Sequence, residues 1–288
     1  MGDARANVVE RAPHRIPVLR SEHGPVLVGL LPLLFLGFLF LLPVARLLML
    51  SVEGGTLVHF QKALFGELYV RVFYDTFKIA IAVTLLSLLL AYPVAYVLST
   101  ASPQWALIGF VFLMLPFWTS ILVRTYAWMI LLGRNGVLNQ VLTGLGLVSE
   151  PVALLYNVPG VLIGMVHVLL PYMVFPIYSA MLRVDCDLLL AAEGLGASSW
   201  SVFWRVFLPL TLPGVIAGTA LVFILSLGFY ITPALLGGGR VIMIAVLIEQ
   251  QVRQFLDWGF ASALSIVLLS FALLAFFVLN RTAWRRAA

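Results

Sequence analysis

Between Ile79 and Val123 the chain carries no charged side chain, a run of 45 residues. As one α-helix it would be about 68 Å long, more than twice the ~30 Å hydrocarbon core of a bilayer. The run must therefore hold two crossings, and the "STASPQ" segment at Ser99–Gln104 separates them. Composition agrees. Of 288 residues, 62% are hydrophobic and 10% charged, with mean hydropathy +1.09, whereas an ordinary soluble domain is about one-quarter charged. The expectation is an all-α integral membrane protein with six transmembrane helices. Apolar runs place them at Val26 to Leu42 and on to Leu50, Phe77 to Leu98, Trp105 to Ile130, Val158 to Leu182, Thr211 to Leu236 and Trp258 to Leu279.

Six spans put both termini on one side. With the termini inside, nine Lys/Arg fall inside and eight outside, so loop counts alone do not orient the chain. Arg15, Arg20, Arg281, Arg285 and Arg286, clustered beside the first and last spans, favour cytoplasmic termini. This divides the chain into a cytoplasmic N-terminal tail (1–24), a six-span domain (25–281) and a cytoplasmic C-terminal tail (282–288). The first 24 residues carry four arginines and no apolar stretch, which reads as a polar tail rather than a signal peptide. Neither lysine, Lys62 or Lys78, follows a glycine-rich stretch, so a phosphate loop is absent and ATP hydrolysis is not expected here. The single Cys186 excludes an internal disulfide and a cysteine-built metal cluster. A net charge of +5 with so little polar surface points to membrane lipid rather than nucleic acid as the surroundings. No cofactor is expected.

"LLLAAEGLGASSWSVFWRVFLPLTLPG" (Leu188–Gly214) interrupts the apolar pattern. Leu188–Leu195 is a short helix former, Gly194 and Gly196 allow a sharp turn, and Ser198 or Ser199 can cap a second helix. Trp200, Phe203, Trp204 and Phe207 then recur at i, i+3, i+4, i+7 as one apolar stripe, with Ser201 and Arg205 off it, which suits a membrane interface. Leu208-Pro209 is expected to end this helix before span five opens at "TLPG". The picture is a helix–turn–helix elbow on the cytoplasmic surface, read either as an ordinary interfacial loop or as a docking knob for a partner.

This segment resembles the EAA motif of ABC importer permeases: Glu-Ala-Ala, a glycine four residues after the last alanine, then Ile-x-Leu-Pro after nine more. The matching positions are Leu190, Ala191, Ala192, Gly196, Val206, Leu208 and Pro209. Leu190 stands where the family has Glu, Val206 replaces Ile, and Glu193 three residues on offers a carboxylate from the next face. "LPFWTSILVRTYAWMILLGRNGVLNQ" (Leu115–Gln140), "LLPYMVFPIYSAM" (Leu169–Met181) and "GFYITPALLGG" (Gly228–Gly238) are similar to spermidine/putrescine importer permeases, over roughly Tyr74 to Arg281. The resemblance implies a type I ABC importer permease fold in the bacterial inner membrane. It further implies an elbow that couples to two copies of a cytoplasmic ATPase, a second homologous permease chain and an extracytoplasmic solute-binding protein.

None of the twelve acidic residues lies in the apolar centre of a span, so a mid-membrane carboxylate clamp for a diamine is missing. Aromatic side chains can meet an ammonium by cation–π attraction. Trp118, Tyr126, Tyr172 and Tyr230 are the candidates for the translocation path, with Trp128 and Tyr178 in the same stretches, against the plain reading of packing or interfacial aromatics. On a continuous span three, Trp118 and Tyr126 lie a little over two turns apart and face broadly the same way. Arg124 then lies about 120° round from Trp118, towards a neighbouring chain or a docked binding protein at the outer face. Two other readings of Arg124 stand beside this: snorkelling to headgroups, or a place in the path that would suit an anionic or zwitterionic solute, with Asp75 or Glu150 as conceivable partners. His167 reads as a hydrogen-bonded packing residue, and "GGGR" at Gly237–Arg240 is too weak a signal for a phosphate site. A secondary transporter would need intramembrane charges or a repeated pattern of broken helices, and a membrane enzyme a cluster of His, Asp or Glu. The sequence shows no clear pattern of the first kind, and its four scattered histidines do not supply the second; an ion-coupled secondary transporter is the alternative class.

Overall fold

A computed structural model describes residues 24–52 and 57–287, and among these the regular structure is entirely helical. The chain divides into two units, Met1–Leu47 and Leu48–Ala288. The described part of the first is a helix, α1 (Gly24–Ser51), which runs on into the start of the second and holds Pro32 and Pro43 within it. The expected tail at 1–24 lies outside the described residues apart from Gly24.

In the second unit, α2 (Val58–Phe65) leads into α3 (Glu67–Thr100), which begins ten residues before the expected Phe77. At 34 residues α3 is about 51 Å long, so it extends well past a hydrocarbon core. Ala101 and Ser102 are extended, and Pro103 opens α4 (Pro103–Met114), placing the break where "STASPQ" predicts it. Proline suits a first helical turn because its missing N–H has no partner to lose there.

Span three departs from expectation. Leu115–Trp118 tightens into a 3₁₀ turn, Thr119 and Ser120 are extended, and α5 (Ile121–Leu132) sets off in a new direction. The two arms, Pro103–Trp118 and Ile121–Gly144, are bent by 98°. Pro116 withdraws one N–H from the α-helical ladder at the head of this turn, while Leu115 before it stays helical and the chain leaves the helix only at Thr119 and Ser120. Thr119 then closes the turn by donating both its N–H and its hydroxyl to the Pro116 carbonyl. The described helices thus offer five continuous spans, or six when the bent pair counts as one.

After α6 (Val137–Gly144), α7 (Val158–Met181) starts from an Asn157 cap whose side chain accepts from the Gly160 N–H at 3.0 Å. Met165, Leu169, Met173 and Ile177 repeat every four residues along α7, and each is at most 1% exposed. Two short helices, α8 (Cys186–Gly194) and α9 (Ser199–Val202), precede α10 (Leu208–Leu227). Gly214 and Gly218 of α10 lie against α7, the small-xxx-small spacing that lets backbones approach where lipid supplies no hydrophobic drive. A Cβ at Gly214 would come within 2.5 Å of both the Pro176 carbonyl oxygen and the Ala180 Cβ. Close packing therefore accounts for these two glycines.

Span five ends earlier than expected. Gly228 terminates α10, and α11 (Ile231–Leu236) is a separate short helix beside α5, with the Thr125 and Thr232 hydroxyls 3.4 Å apart. Next comes α12 (Ile244–Arg253), whose first N–H is received by the Thr76 hydroxyl of α3 at 2.9 Å. The last helix, α13 (Trp258–Ala287), contains the expected span six and continues past Arg281, so no backbone break marks the expected tail at 282–288. Phe260 and Leu264 of α13 form a second core with Ala63, Phe73 and Leu247, over which the Lys62 ammonium sits 4.2 Å from the Phe260 ring.

Candidate coupling elbow and translocation region

The spacing from Ala192 to Gly196 has a backbone explanation. Leu195 caps α8, Gly196 follows at φ +88°, and two bonds close the end: Ala197 N–H to Ala192 O at 3.1 Å, and Gly196 N–H to Glu193 O at 2.9 Å. This is the Schellman arrangement, whose left-handed position glycine occupies without a Cβ penalty. The N-terminus is held too, since the Asp185 carboxylate accepts from the Asp187 N–H at 2.9 Å. Ser198, of the two serines considered, is the cap of α9 and accepts from the Ser201 N–H. Within α8 only Leu189 and Ala192 turn partly inward, while Leu190, Ala191 and Glu193 face outward. Leu190 is 63% exposed and Leu195 90%, so a large apolar surface is presented by a short, doubly capped helix.

The second half of the elbow differs from expectation. Leu208-Pro209 does not end the helix; Ser199–Leu227 is continuous and passes through a π-turn at Phe203–Phe207, marked by the Leu208 N–H bonding to Phe203 O. The wide turn absorbs the proline, because Pro209 has no N–H to give and its ring needs room against the preceding turn. The aromatic stripe also divides. Phe207 is buried and Phe203 half-buried, whereas Trp200 and Trp204 are exposed. Phe203 meets Tyr92 and Tyr96 of α3 edge-on, with ring centroids 6.3 and 6.1 Å apart, and Phe207 meets Tyr96 at 5.6 Å. The Tyr92 hydroxyl lies 3.0 Å from Thr211 Oγ1 in α10. Sequence reasoning missed this clasp; its one visible signal is a pair of tyrosines at i, i+4 in an otherwise apolar span.

The bend in span three changes the geometry of the path candidates. Trp118 and Tyr126 are on opposite arms, so the shared-face argument from a continuous helix fails, and so does the 120° offset of Arg124. Trp118, 88% exposed, lines an open groove of about 430 Å³ with Phe110, Val111, Met114 and Leu115. Tyr126 is exposed on α5, and Tyr172 is half-buried on α7 against the Phe117 ring at 5.9 Å. Tyr230 precedes α11, where burial first and the Glu249 carboxylate second push its hydroxyl above its ordinary pKa. Tyr178 packs edge-on against Phe110 at 4.7 Å. The Trp128 indole N–H donates to His167 Nδ1 at 3.1 Å, which makes His167 a hydrogen-bonded packing residue as its sequence position suggests.

Arg124 is partly buried, and its Nε has no hydrogen-bond partner. The guanidinium lies within electrostatic reach of Tyr172 and His167. Neither Asp75 nor Glu150 pairs with it; among the described residues the ion pair found is Arg253–Glu249 at 3.3 Å. No group of three metal-ligating side chains occurs among the described residues.

The chain matches the family of binding-protein-dependent transport system inner membrane components over residues 25–285. It is 38% identical over 218 residues to the spermidine/putrescine transport system permease protein PotB of Haemophilus influenzae, covering 76% of each chain. Against PotB of Escherichia coli K12 it is 38% identical over 205 residues, covering 71% of this chain and 74% of that one. The fold matches a bacterial alginate ABC transporter, solved in complex with an alginate pentasaccharide-bound periplasmic protein, with TM-score 0.70 at 20% identity over 91% of this chain and 95% of that one. These relationships set aside the secondary-transporter and membrane-enzyme alternatives. Apolar helices that offer five spans, or six with the bent pair counted as one, a doubly capped elbow and a family match over nearly the whole chain converge: the chain belongs to the binding-protein-dependent transport system inner membrane components and is a multi-pass permease subunit of an ABC importer.

Proposed function

We propose that this permease imports a polyamine of the spermidine/putrescine class. It works with a second homologous permease chain, two copies of a cytoplasmic ATPase and an extracytoplasmic solute-binding protein, and both its termini are cytoplasmic. The observation that carries the solute assignment is 38% identity to PotB across three-quarters of the chain. The elbow supports the coupling role. ATP binding closes the ATPase pair, the outward face of α8 (Leu190, Ala191, Glu193) moves with it, and the π-turn and Val206–Pro209 carry the displacement into span five. The ATPases bias two states of the spans by their differential affinity for each. The aromatics Trp118, Tyr126, Tyr172 and Tyr230 meet the ammonium groups along the path, and Arg124 contacts the docked binding protein.

One observation favours a second solute class. Arg124 approaches Tyr172, a path candidate, with no carboxylate partner, an arrangement that suits an anionic or zwitterionic solute. Uptake of labelled spermidine by proteoliposomes holding the complete transporter decides between them. Spermidine uptake that depends on ATP and the binding protein, and that Arg124→Ala leaves selective for polyamines, supports the first reading. Transport of a carboxylate-bearing solute, lost in Arg124→Ala, replaces it with the second.

A further inference from the structure

A cavity of about 240 Å³ opens between the N-terminal third of α3, the start of α7 and the segment before α12. Its α3 wall is Asp75, Lys78, Ile79 and Ala82, one helical stripe at i, i+3, i+4 and i+7. The other wall is Val158 together with Arg240, Val241 and Ile242. Three charges share this cavity, yet none is in an ion pair within 4 Å, the one such pair among the described residues being Arg253–Glu249. The cavity therefore holds a net positive charge, augmented by the α7 N-terminus at Val158.

The stripe also changes character along its length. Lys78 is the last charge before the 45-residue uncharged run, so the wall passes from charged to apolar over about 10 Å of helix. That is comparable to the distance over which a bilayer passes from headgroup to hydrocarbon. A soluble anion would use only the charged end, whereas an amphiphile uses both. The walls are held in place: Gly238 and Gly239, at φ +54° and +75°, turn the chain into Arg240, and Thr76 beside Asp75 receives the Ile244 N–H at 2.9 Å.

We propose that this cavity binds an anionic glycerophospholipid with a phosphoglycerol head. Lys78 and Arg240 meet the phosphate, Asp75 accepts hydrogen bonds from the glycerol hydroxyls, and Ile79, Ala82, Val158 and Ile242 line the upper part of the acyl chains. The site does not depend on which solute is carried. Native mass spectrometry of the detergent-purified transporter with added dioleoylphosphatidylglycerol, dioleoylphosphatidylcholine or inorganic phosphate tests it. Phosphatidylglycerol is expected to be retained, with affinity falling about fivefold in Lys78→Gln or Arg240→Gln and about 25-fold in the double variant. Both side chains are exposed, so folding is unaffected, and Lys78→Arg should restore binding to the single variant. Equal retention of phosphatidylglycerol by wild type and double variant overturns the proposal, as does equal retention of phosphatidylcholine. Displacement by equimolar inorganic phosphate also overturns it and marks a soluble-anion site instead.

Discussion

Gly214 and Gly196 stand on either side of the π-turn and are needed for opposite reasons. At Gly214 the backbone is ordinary helix, and neighbouring atoms occupy the space a side chain would fill. At Gly196 the surrounding space is empty, and the backbone itself, at φ +88°, is what other residues resist. The first glycine belongs to a seam whose geometry is set by packing. The second belongs to a surface element whose geometry is set by its own caps and whose apolar face is turned away from the chain. A seam of the first kind holds the spans together; an elbow of the second kind can be moved by something that grips it.

The largest effect should come from filling the seam. Gly214→Leu drives a side chain into the α7 backbone and should cost about 3 kcal/mol or more, since over-packing a close contact forces backbone shifts. A lowered melting temperature and poor recovery in detergent are the expected readouts; a stable, active variant would mean that α10 slides freely on α7. Gly196→Pro should be milder on the spans but severe on transport, because proline fixes φ near −65° and removes the N–H bonded to Glu193 O. ATP-dependent uptake should be lost with the melting temperature nearly unchanged, whereas Gly196→Ala should cost the elbow about 1–2 kcal/mol. Normal uptake in the proline variant would contradict the coupling role.

Between seam and elbow lies the clasp of Tyr92, Tyr96, Phe203 and Phe207. Tyr92→Phe deletes the hydroxyl contact with Thr211 and should cost about 1 kcal/mol in stability. The sharper expectation is reduced ATPase stimulation by the binding protein, and unchanged stimulation would show that the π-turn does not report to α3 through this bond. The smallest effect is expected for Leu190→Glu. The side chain is 63% exposed, so stability should move by no more than about 0.5 kcal/mol and the ATPase should still copurify. Loss of copurification would mean that the ATPase cleft is apolar where it receives Leu190, because a carboxylate buried there without a partner is costly.

Much of the fold was legible in the residues because bilayer thickness imposes a length. Five of the expected spans appear as long apolar helices, and the α3–α4 break falls at Pro103. The first half of the elbow was legible because its turn depends on a local property, the left-handed tolerance of Gly196. Two features were not. Pro116 and Pro209 obey the same local rules, yet one sits at a 98° bend and the other in an unbroken helix. Proline removes a hydrogen bond in either case; whether the chain then bends or widens into a π-turn depends on what the neighbouring side chains pack against. For Phe203 and Phe207 that support is Tyr92 and Tyr96, more than a hundred residues earlier in the chain. The site shows the same division. The EAA spacing could be read directly, whereas the facing of Trp118, Tyr126 and Arg124 could not, once the helix carrying them broke.

By itself, then, the sequence determined the number and approximate extent of the crossings, the position of the elbow and the permease family. The crossings follow from apolar run length and the elbow from a local glycine requirement, while the family follows from the resemblance of one short segment to the EAA motif. Only the tertiary structure decided which glycines are filled by neighbours, how two prolines are accommodated, and that Arg124 lies near Tyr172 and His167 rather than an acidic partner. It also brought Asp75, Lys78 and Arg240 to one cavity. Those outcomes depend on contacts between residues far apart in the chain, and periodicity along a single helix carries no information about what the facing helix supplies.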